Sequence, residues 1–353
     1  MDVKKILDQA TDNGASDIFV IAGRPLSYKI KGQIEELDEI KLFPNETHEF
    51  VTELYRLAER DISEFERRGD DDFSFAVPGV SRFRVNTFKQ RGSYSAVIRV
   101  ISFELPEPSA LSIPDAVMEL ANTGHGMVLV TGPAGSGKST TLACLINKIN
   151  HEKKQHIITL EDPLEFLHRH IKSIVSQREI STDTESYLTA LRAALRQSPD
   201  VVLLGEMRDY ETINTAVTAA ETGHLIFSSL HTIGASNTID RIIDAFPASQ
   251  QQQICIQLAS VLQAVVSQKL IPTIDGKVVP AFEIMVLTPA IRTLIRERKV
   301  HQIDGIIYTS SADNMISMDT SILKLYEAGI ISKETAISEA TNPEIMRKRI
   351  NLG

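Results

Sequence analysis

A chain of 353 residues is too long for one typical domain and suits two, at roughly 100–200 residues each. It is 42% hydrophobic and 24% charged with a formal net charge of −9, the composition of a soluble globular protein; that balance argues against a nucleic-acid coat, whose phosphate contacts need clustered Lys and Arg. Two cysteines, Cys144 and Cys255, exclude a four-thiolate zinc site and a disulfide framework, and both read as core residues in a reducing cytosol.

The N-terminus, MDVKKILDQATDNG, is an amphipathic helix pattern rather than a signal peptide, with Val3, Ile6, Leu7 and Ala10 at helical spacing. No window approaches 18 continuous apolar residues, so no integral membrane segment is predicted. Strands are predicted at 17–22 and 26–30 around the turn Gly23-Arg24-Pro25, then a helix over 46–60, then strands at 72–77, 82–88 and 94–101. Residues 1–102 therefore read as a small α+β domain. Prolines 106 and 108 forbid a helix and mark a linker at 103–113. From Pro114 strands and helices alternate, which predicts a parallel sheet with crossover helices over 114–353. Its strands are expected at 127–131, 156–160, 201–204 and 225–228. Beyond about residue 250 the pattern reads as mainly helical, with 251–270 as one long segment and a shorter, highly charged helix at 289–299.

Gly132-Pro133-Ala134-Gly135-Ser136-Gly137-Lys138-Ser139 fits G-x-x-x-x-G-K-S/T without a mismatch. It follows a predicted strand and opens a predicted helix at 140–149, the context this motif requires. The glycines let successive N–H groups point at one phosphate, and the helix N-terminus, with Thr140 following, adds partial positive charge. Lys138 is expected to reach the β- and γ-phosphates of ATP, and Ser139 to ligate Mg²⁺. Three further blocks carry polar groups at strand ends. In VVLLGEMRD, Glu206 stands behind Gly205, which would leave room for backbone near the γ-phosphate; the residue reads either as an acid aimed at Mg²⁺ or the attacking water, from a strand beside the phosphate loop, or as a surface residue. In TLEDPLEF, Glu161, Asp162 and Glu165 read either as a cluster relieved by Mg²⁺ or as a solvated loop. In GHLIFSSLHT, His224 and His231 bracket one strand at about 23 Å, at ~3.3 Å per residue, too far apart to share a metal; either ring is a phosphate reader or a structural histidine.

Taken in order, GPAGSGKST, TLEDPLEF, VVLLGEMRD and AETGHLIFSSLHT resemble the Walker A, Asp box, Walker B and His box of the secretion ATPases that drive type II secretion and type IV pili. A fifth block, AIRTLIRE at 290–297, resembles a segment of the pilus-retraction (PilT-type) members. The resemblance implies a PAS-like N-terminal domain and a RecA-like motor domain with a helical C-terminal part. It implies a homo-hexameric ring in the cytoplasm at the inner face of the membrane, acting on an inner-membrane platform protein of the PilC kind, with nucleotide between the two domains. It makes Glu206 the catalytic carboxylate and Glu161 the acid that helps orient Mg²⁺ and water, with His231 in the site. Arg82 and Arg84 would read the terminal phosphate, with Arg99 on the following strand. The metal set is then Ser139, Glu161 and Glu206.

The absence of a four-cysteine element, and a start directly at the PAS-like region, point to the retraction branch. That branch includes a paralogous accessory motor of the PilU type; extension and type II secretion ATPases are the neighbouring branches. Outside the family, a RecA-like nucleic-acid translocase is the rival, and the −9 charge with no aromatic-and-basic strip argues against it. For the fifth block, Arg292 and Arg296 at i,i+4 read either as a solvated helix face or, by resemblance, as an element needed for retraction rather than hydrolysis.

Overall fold

A computed structural model describes residues 2–101, 103, 105–309 and 314–352. The chain divides into two compact units, Met1–Glu104 with Leu164–Leu167, and Leu105–Pro163 with His168–Gly353. Of the expected linker, Glu104 lies outside the described residues, as do Met1, Ser102 and Gly353 at the ends of the expected domains.

The first unit runs α1 (Val3–Asp12), β1 (Asp17–Val20), β2 (Pro25–Ile30), β3 (Gln33–Lys41), α2 (Pro44–Leu57), α3 (Ser63–Arg68), β4 (Asp70–Val77), β5 (Ser81–Gln90) and β6 (Ser93–Ile101). Asp2 caps α1 by accepting from the Lys5 N–H, and the helix buries Val3, Ile6, Leu7 and Ala10, as their spacing predicts. The strands form one antiparallel sheet in the order β3-β2-β1-β6-β5-β4. Along β5 the pleat sends Phe83 and Val85 into the core and Arg82 and Arg84 to the opposite face. Strand β3 escapes sequence reading because all nine of its residues are exposed, so it has no apolar alternation to detect.

The second unit begins with α4 (Asp115–Met118), β7 (Gly126–Thr131), α5 (Lys138–Glu152), β8 (His156–Glu161), β9 (Ile174–Glu179), α6 (Tyr187–Ala194), β10 (Val201–Leu204), α7 (Tyr210–Glu221), β11 (Leu225–Leu230) and α8 (Ala235–Asp244). It continues with α9 (Gln251–Val261), β12 (Leu262–Pro272), β13 (Val278–Val286), α10 (Pro289–Arg296), α11 (Ile303–Thr309), α12 (Met318–Glu327), α13 (Lys333–Glu339) and α14 (Pro343–Leu352). Seven strands form one sheet in the order β13-β12-β7-β11-β10-β8-β9, parallel throughout except for the antiparallel edge β13. Two apolar clusters built on its strands, with Leu129, Leu160 and Leu204 in one and Val130, Leu203 and Phe227 in the other, make the core. That is why β7, β10 and β11 are buried at every position and show apolar runs rather than alternation: Met127–Val130, Val201–Leu204 and Leu225–Phe227.

The expected single segment 251–270 is corrected: α9 ends at Val261 and β12 starts at Leu262. The strand lies between β7 and β13 with Ala264–Ser267 buried, so its sequence has no period-2 alternation and cannot be told from a buried helix by pattern. The region after residue 250 is accordingly helical around a two-stranded β12–β13 hairpin rather than mainly helical. Helix α10 buries Ile291 and Ile295, and Arg292 and Arg296 are exposed. Cys144 and Cys255 are both buried and free.

Candidate active site

The four parallel strands β7, β11, β10 and β8 all point the same way, so the segments that follow them leave one edge of the sheet. Those segments are the glycine-rich loop, His231, Gly205-Glu206 and Glu161-Asp162. The strand order corrects one expectation. Strand β10 is not the neighbour of the phosphate-loop strand β7, because β11 lies between them. His231, at the end of β11, thus stands between the loop and Glu206 in the sheet.

The loop is shaped by its glycines and by β12. Gly132 has φ +142°, and a Cβ there would lie 2.1 Å from the Gln268 carbonyl oxygen and 2.8 Å from Ser136 Oγ. Gly137 (φ +88°) caps α5 from the left-handed region and packs on the Gln268 side chain, whose Nε2 would be 2.8 Å from an added Cβ. Gln268 Oε1 accepts from Thr141 Oγ1 at 2.8 Å, which ties the strand to the first turn of the helix. Lys138 is buried, and its Nζ donates to the carbonyls of Gly132 and Pro133, both at 2.9 Å. Ser136 Oγ is buried with no hydrogen-bond partner. A buried donor without an acceptor beside an ammonium is the donor chemistry a phosphate satisfies. Beside the loop, a cavity of about 300 Å³ is lined by Ser112, Gly137, Thr140, Thr141, Gln268 and Val279 among others.

Glu206 follows β10 with its side chain only 13% exposed. Its Oε1 pairs with Arg208 Nη2 at 2.6 Å, and its Oε2 lies 3.5 Å from His231 Nε2 and is buried with no hydrogen-bond partner. The backbone under it is fixed on both sides: Gly205 N donates to the Leu160 carbonyl at 2.8 Å, and Ser229 Oγ donates to the Gly205 carbonyl at 2.6 Å. The space a side chain would fill at Gly205 holds the Tyr187 hydroxyl, 2.7 Å from the Cβ position, with Glu161 Cα at 3.4 Å. What the structure places against this glycine is the Tyr187 phenol, with the β8 backbone at Leu160 and Glu161 behind it. Burial raises the Tyr187 phenol far above its ordinary pKa, and the negative charges of Glu206, Asp162 and Glu161 push the same way.

Glu161 ends β8 beside Gly205, whereas Glu165 lies in Leu164–Leu167, which clusters with the first unit. Among the described residues no group of three or more His, Cys, Asp or Glu side chains is arranged to hold a metal by itself. The other histidine of the pair, His224, has its Nδ1 2.9 Å from the Ala219 carbonyl and closes the turn before β11.

In the first unit, Arg84 stands opposite Arg99 across β5 and β6, and Arg99 Nε donates to the buried Asp17 carboxylate at 3.0 Å. Asp17, Asp72, Arg84, Asn86, Val97 and Arg99 line a polar cavity of about 280 Å³ on that sheet. Arg82 emerges on the same face one pleat away. Sequence reasoning missed Tyr187 and Gln268, which belong to no spacing motif, and Ser229, which lay inside the quoted GHLIFSSLHT block without being singled out. Arg208 lay within the quoted GEMRD block and could have been singled out as a charge two positions from Glu206.

A parallel sheet that delivers a glycine-rich phosphate loop, a Walker B carboxylate and a histidine to one edge defines a P-loop nucleoside-triphosphatase. Comparison with known proteins narrows this. The chain belongs to the type II/IV secretion system protein family, whose model matches residues 1–302. It is 43% identical over 344 residues to the type IV pilus retraction ATPase PilT of Pseudomonas aeruginosa, covering 98% of this chain and 99% of that one. It is 38% identical over 354 residues to the type IV pilus ATPase PilU of the same organism, covering 100% and 92%. A crystal structure of the pilus retraction motor PilT with bound ADP superposes with a TM-score of 0.87 at 45% identity, covering 99% of each chain.

Proposed function

We propose that this chain is an ATP-hydrolysing motor that drives type IV pilus retraction, and with it twitching or gliding movement. The observation that carries the catalytic part is the convergence of the phosphate loop, His231 and Glu206 at one edge of the parallel sheet. The identity to PilT over nearly the full length of both chains supports the biological part.

In this reading residues 132–140 cradle the phosphates through backbone N–H groups, and Lys138 exchanges its two loop carbonyls for phosphate oxygens. Glu206 accepts a proton from the water that attacks the γ-phosphorus as the bond to the bridging oxygen breaks, yielding ADP and phosphate. Ser139, with Glu161 and Glu206, would hold Mg²⁺. One hydroxyl and two carboxylates suit a cation that takes its other ligands from phosphate and water. The ion neutralises phosphate charge when bound. Arg82 and Arg84 are assigned to reading the terminal phosphate.

The mechanical parts are the domains 1–102 and 114–353 with the linker 103–113. Six copies would act as a ring in the cytoplasm at the pilus base, on a platform protein of the inner membrane. No helix among the described residues is long and apolar enough to cross a membrane, which suits a peripheral role. A second reading, an accessory motor, rests on the similarity to PilU.

The test of catalysis is Glu206→Gln. The variant is expected to keep nucleotide affinity within threefold and to lose at least tenfold in turnover, a barrier increase of about 1.4 kcal/mol. Near-normal turnover removes Glu206 from the mechanism. In the host, deletion of the gene is expected to make surface pili accumulate; their disappearance would assign extension instead.

A further inference from the structure

Gly205 brings together two polar groups that no motif connects. On one side is Glu206 Oε2, buried and without a hydrogen-bond donor, with His231 Nε2 at 3.5 Å. On the other is the Tyr187 hydroxyl, pressed against the Gly205 Cα so closely that a Cβ would sit 2.7 Å from it. Ser186 fixes where this phenol lies. Its Oγ accepts from the Thr189 N–H at 3.2 Å and caps α6, so Tyr187 is the first residue of a helix whose Ala190, Leu191 and Ala194 are locked into the core. The ring therefore has a rigid base, and its hydroxyl is delivered to the seam between β8 and β10, where the Leu160 carbonyl lies 3.3 Å and Glu161 Cα 3.4 Å from the same Cβ position.

We propose that Tyr187 is a positioning residue for ATP hydrolysis: its hydroxyl donates a hydrogen bond to the Glu206 carboxylate when Glu206 turns from Arg208 to the attacking water. This rests on the reading of Glu206 given above. Tyr187 keeps its proton throughout. Its contribution is geometric, holding one carboxylate oxygen so that the other faces the water. Gly205 then has a reason independent of backbone conformation: any larger residue displaces the hydroxyl from its seat.

The experiment uses the full chain and four variants: Glu206→Gln, Tyr187→Phe, Gly205→Ala, and Tyr187→Phe combined with Gly205→Ala. Tyr187→Phe removes only the oxygen. The expected result is a fall in kcat of about five- to twentyfold, with KM for ATP and ADP affinity within twofold and thermal unfolding unchanged, on the scale of one lost transition-state hydrogen bond. Gly205→Ala is expected to lose a similar factor, and the double variant to be no slower than Tyr187→Phe alone, because the two changes remove the same contact. Wild-type kcat in Tyr187→Phe overturns the inference. So does a parallel loss of kcat, affinity and melting temperature, which would reduce Tyr187 to packing. Glu206→Gln separates the two readings. If it is impaired while Tyr187→Phe is normal, only the role of Tyr187 falls; if both are normal, the catalytic assignment of Glu206 falls with it.

Discussion

The three glycines of the phosphate loop meet different surroundings, so alanine at each should cost a different and calculable amount. Gly135 has φ +75° with nothing within 4 Å of an added Cβ, which leaves only the left-handed backbone penalty of about 1–2 kcal/mol. Gly137 adds a contact of 2.8 Å to Gln268 Nε2 at φ +88°. That amide can swing away, but only by giving up its bond from Thr141, about 1 kcal/mol more, for a total of about 2–3 kcal/mol. At Gly132 the obstacle is the Gln268 carbonyl oxygen, 2.1 Å away, on a strand whose Ser267 pairs with Thr131 of β7. No side-chain motion relieves it, and a cost above about 4 kcal/mol is expected. At roughly 2–4 °C per kcal/mol for a unit of this size, thermal unfolding without nucleotide should fall by about 5 °C in Gly135→Ala and about 8 °C in Gly137→Ala, with Gly132→Ala failing to fold stably. Calorimetry of the three purified chains measures the series, and ADP titration measures binding separately. A Gly135→Ala chain as unstable as Gly132→Ala would refute the reasoning, because the glycines would then be required for something other than these contacts.

Two other outcomes can be checked. Burial lowers His168 from 6.5 to about 4, so the folded chain keeps it neutral while the unfolded chain takes up a proton; its stabilising effect is complete above about pH 6.5 and is lost as pH falls toward 4. At pH 5 the loss is about 2 kcal/mol relative to pH 7, and His168→Leu should flatten the stability profile by that amount in urea titrations at the two pH values; parallel profiles would contradict it. On α10, Arg292→Ala with Arg296→Ala should leave ATP turnover within twofold, since both guanidinium groups are exposed. Abolished turnover in a folded chain would show that this helix serves hydrolysis directly.

The parts of the site that were legible are those whose chemistry is contiguous. The glycine-rich loop carries its turn conformations and its lysine within eight residues, and it lies between a strand and a helix that pattern alone reveals. Strands β7, β10 and β11 were legible because burial on both faces leaves an apolar run short enough to exclude a helix. Strand β12 has the same character but follows α9 without a glycine or proline, so the junction at Val261–Leu262 has no local signal. Tyr187 and Gln268 were illegible for another reason. Each acts on a glycine far away in sequence, and only the sheet order and the anchoring of α6 bring them there. The function of Gly205 could not be derived from its neighbours in the chain, since the group it accommodates arrives from another helix.

The pairing of Glu206 with Arg208 also bears on how such a site is switched. Arg208 is 75% exposed and Glu206 13%, with Nη2 2.6 Å from Oε1, so solvent screens the pair from the arginine's side only and the contact holds more strongly than a fully exposed pair, for which about 0–1 kcal/mol is usual. On the proposed mechanism, turning the carboxylate from this arginine to a water gives up that contact, and a donor at the other end of the movement has to offset it. The second oxygen is different: it is buried, so the direction in which it finds a donor decides where the carboxylate points. His231 Nε2 lies 3.5 Å from it on a side chain that is 54% exposed, and the Tyr187 phenol, the partner proposed above, rises from a helix fixed in the core and lies against Gly205. On the proposed mechanism, a carboxylate with one oxygen paired to Arg208 and the other lacking a donor takes a fixed direction only when Tyr187 supplies that donor, so the base is aimed as it leaves the arginine.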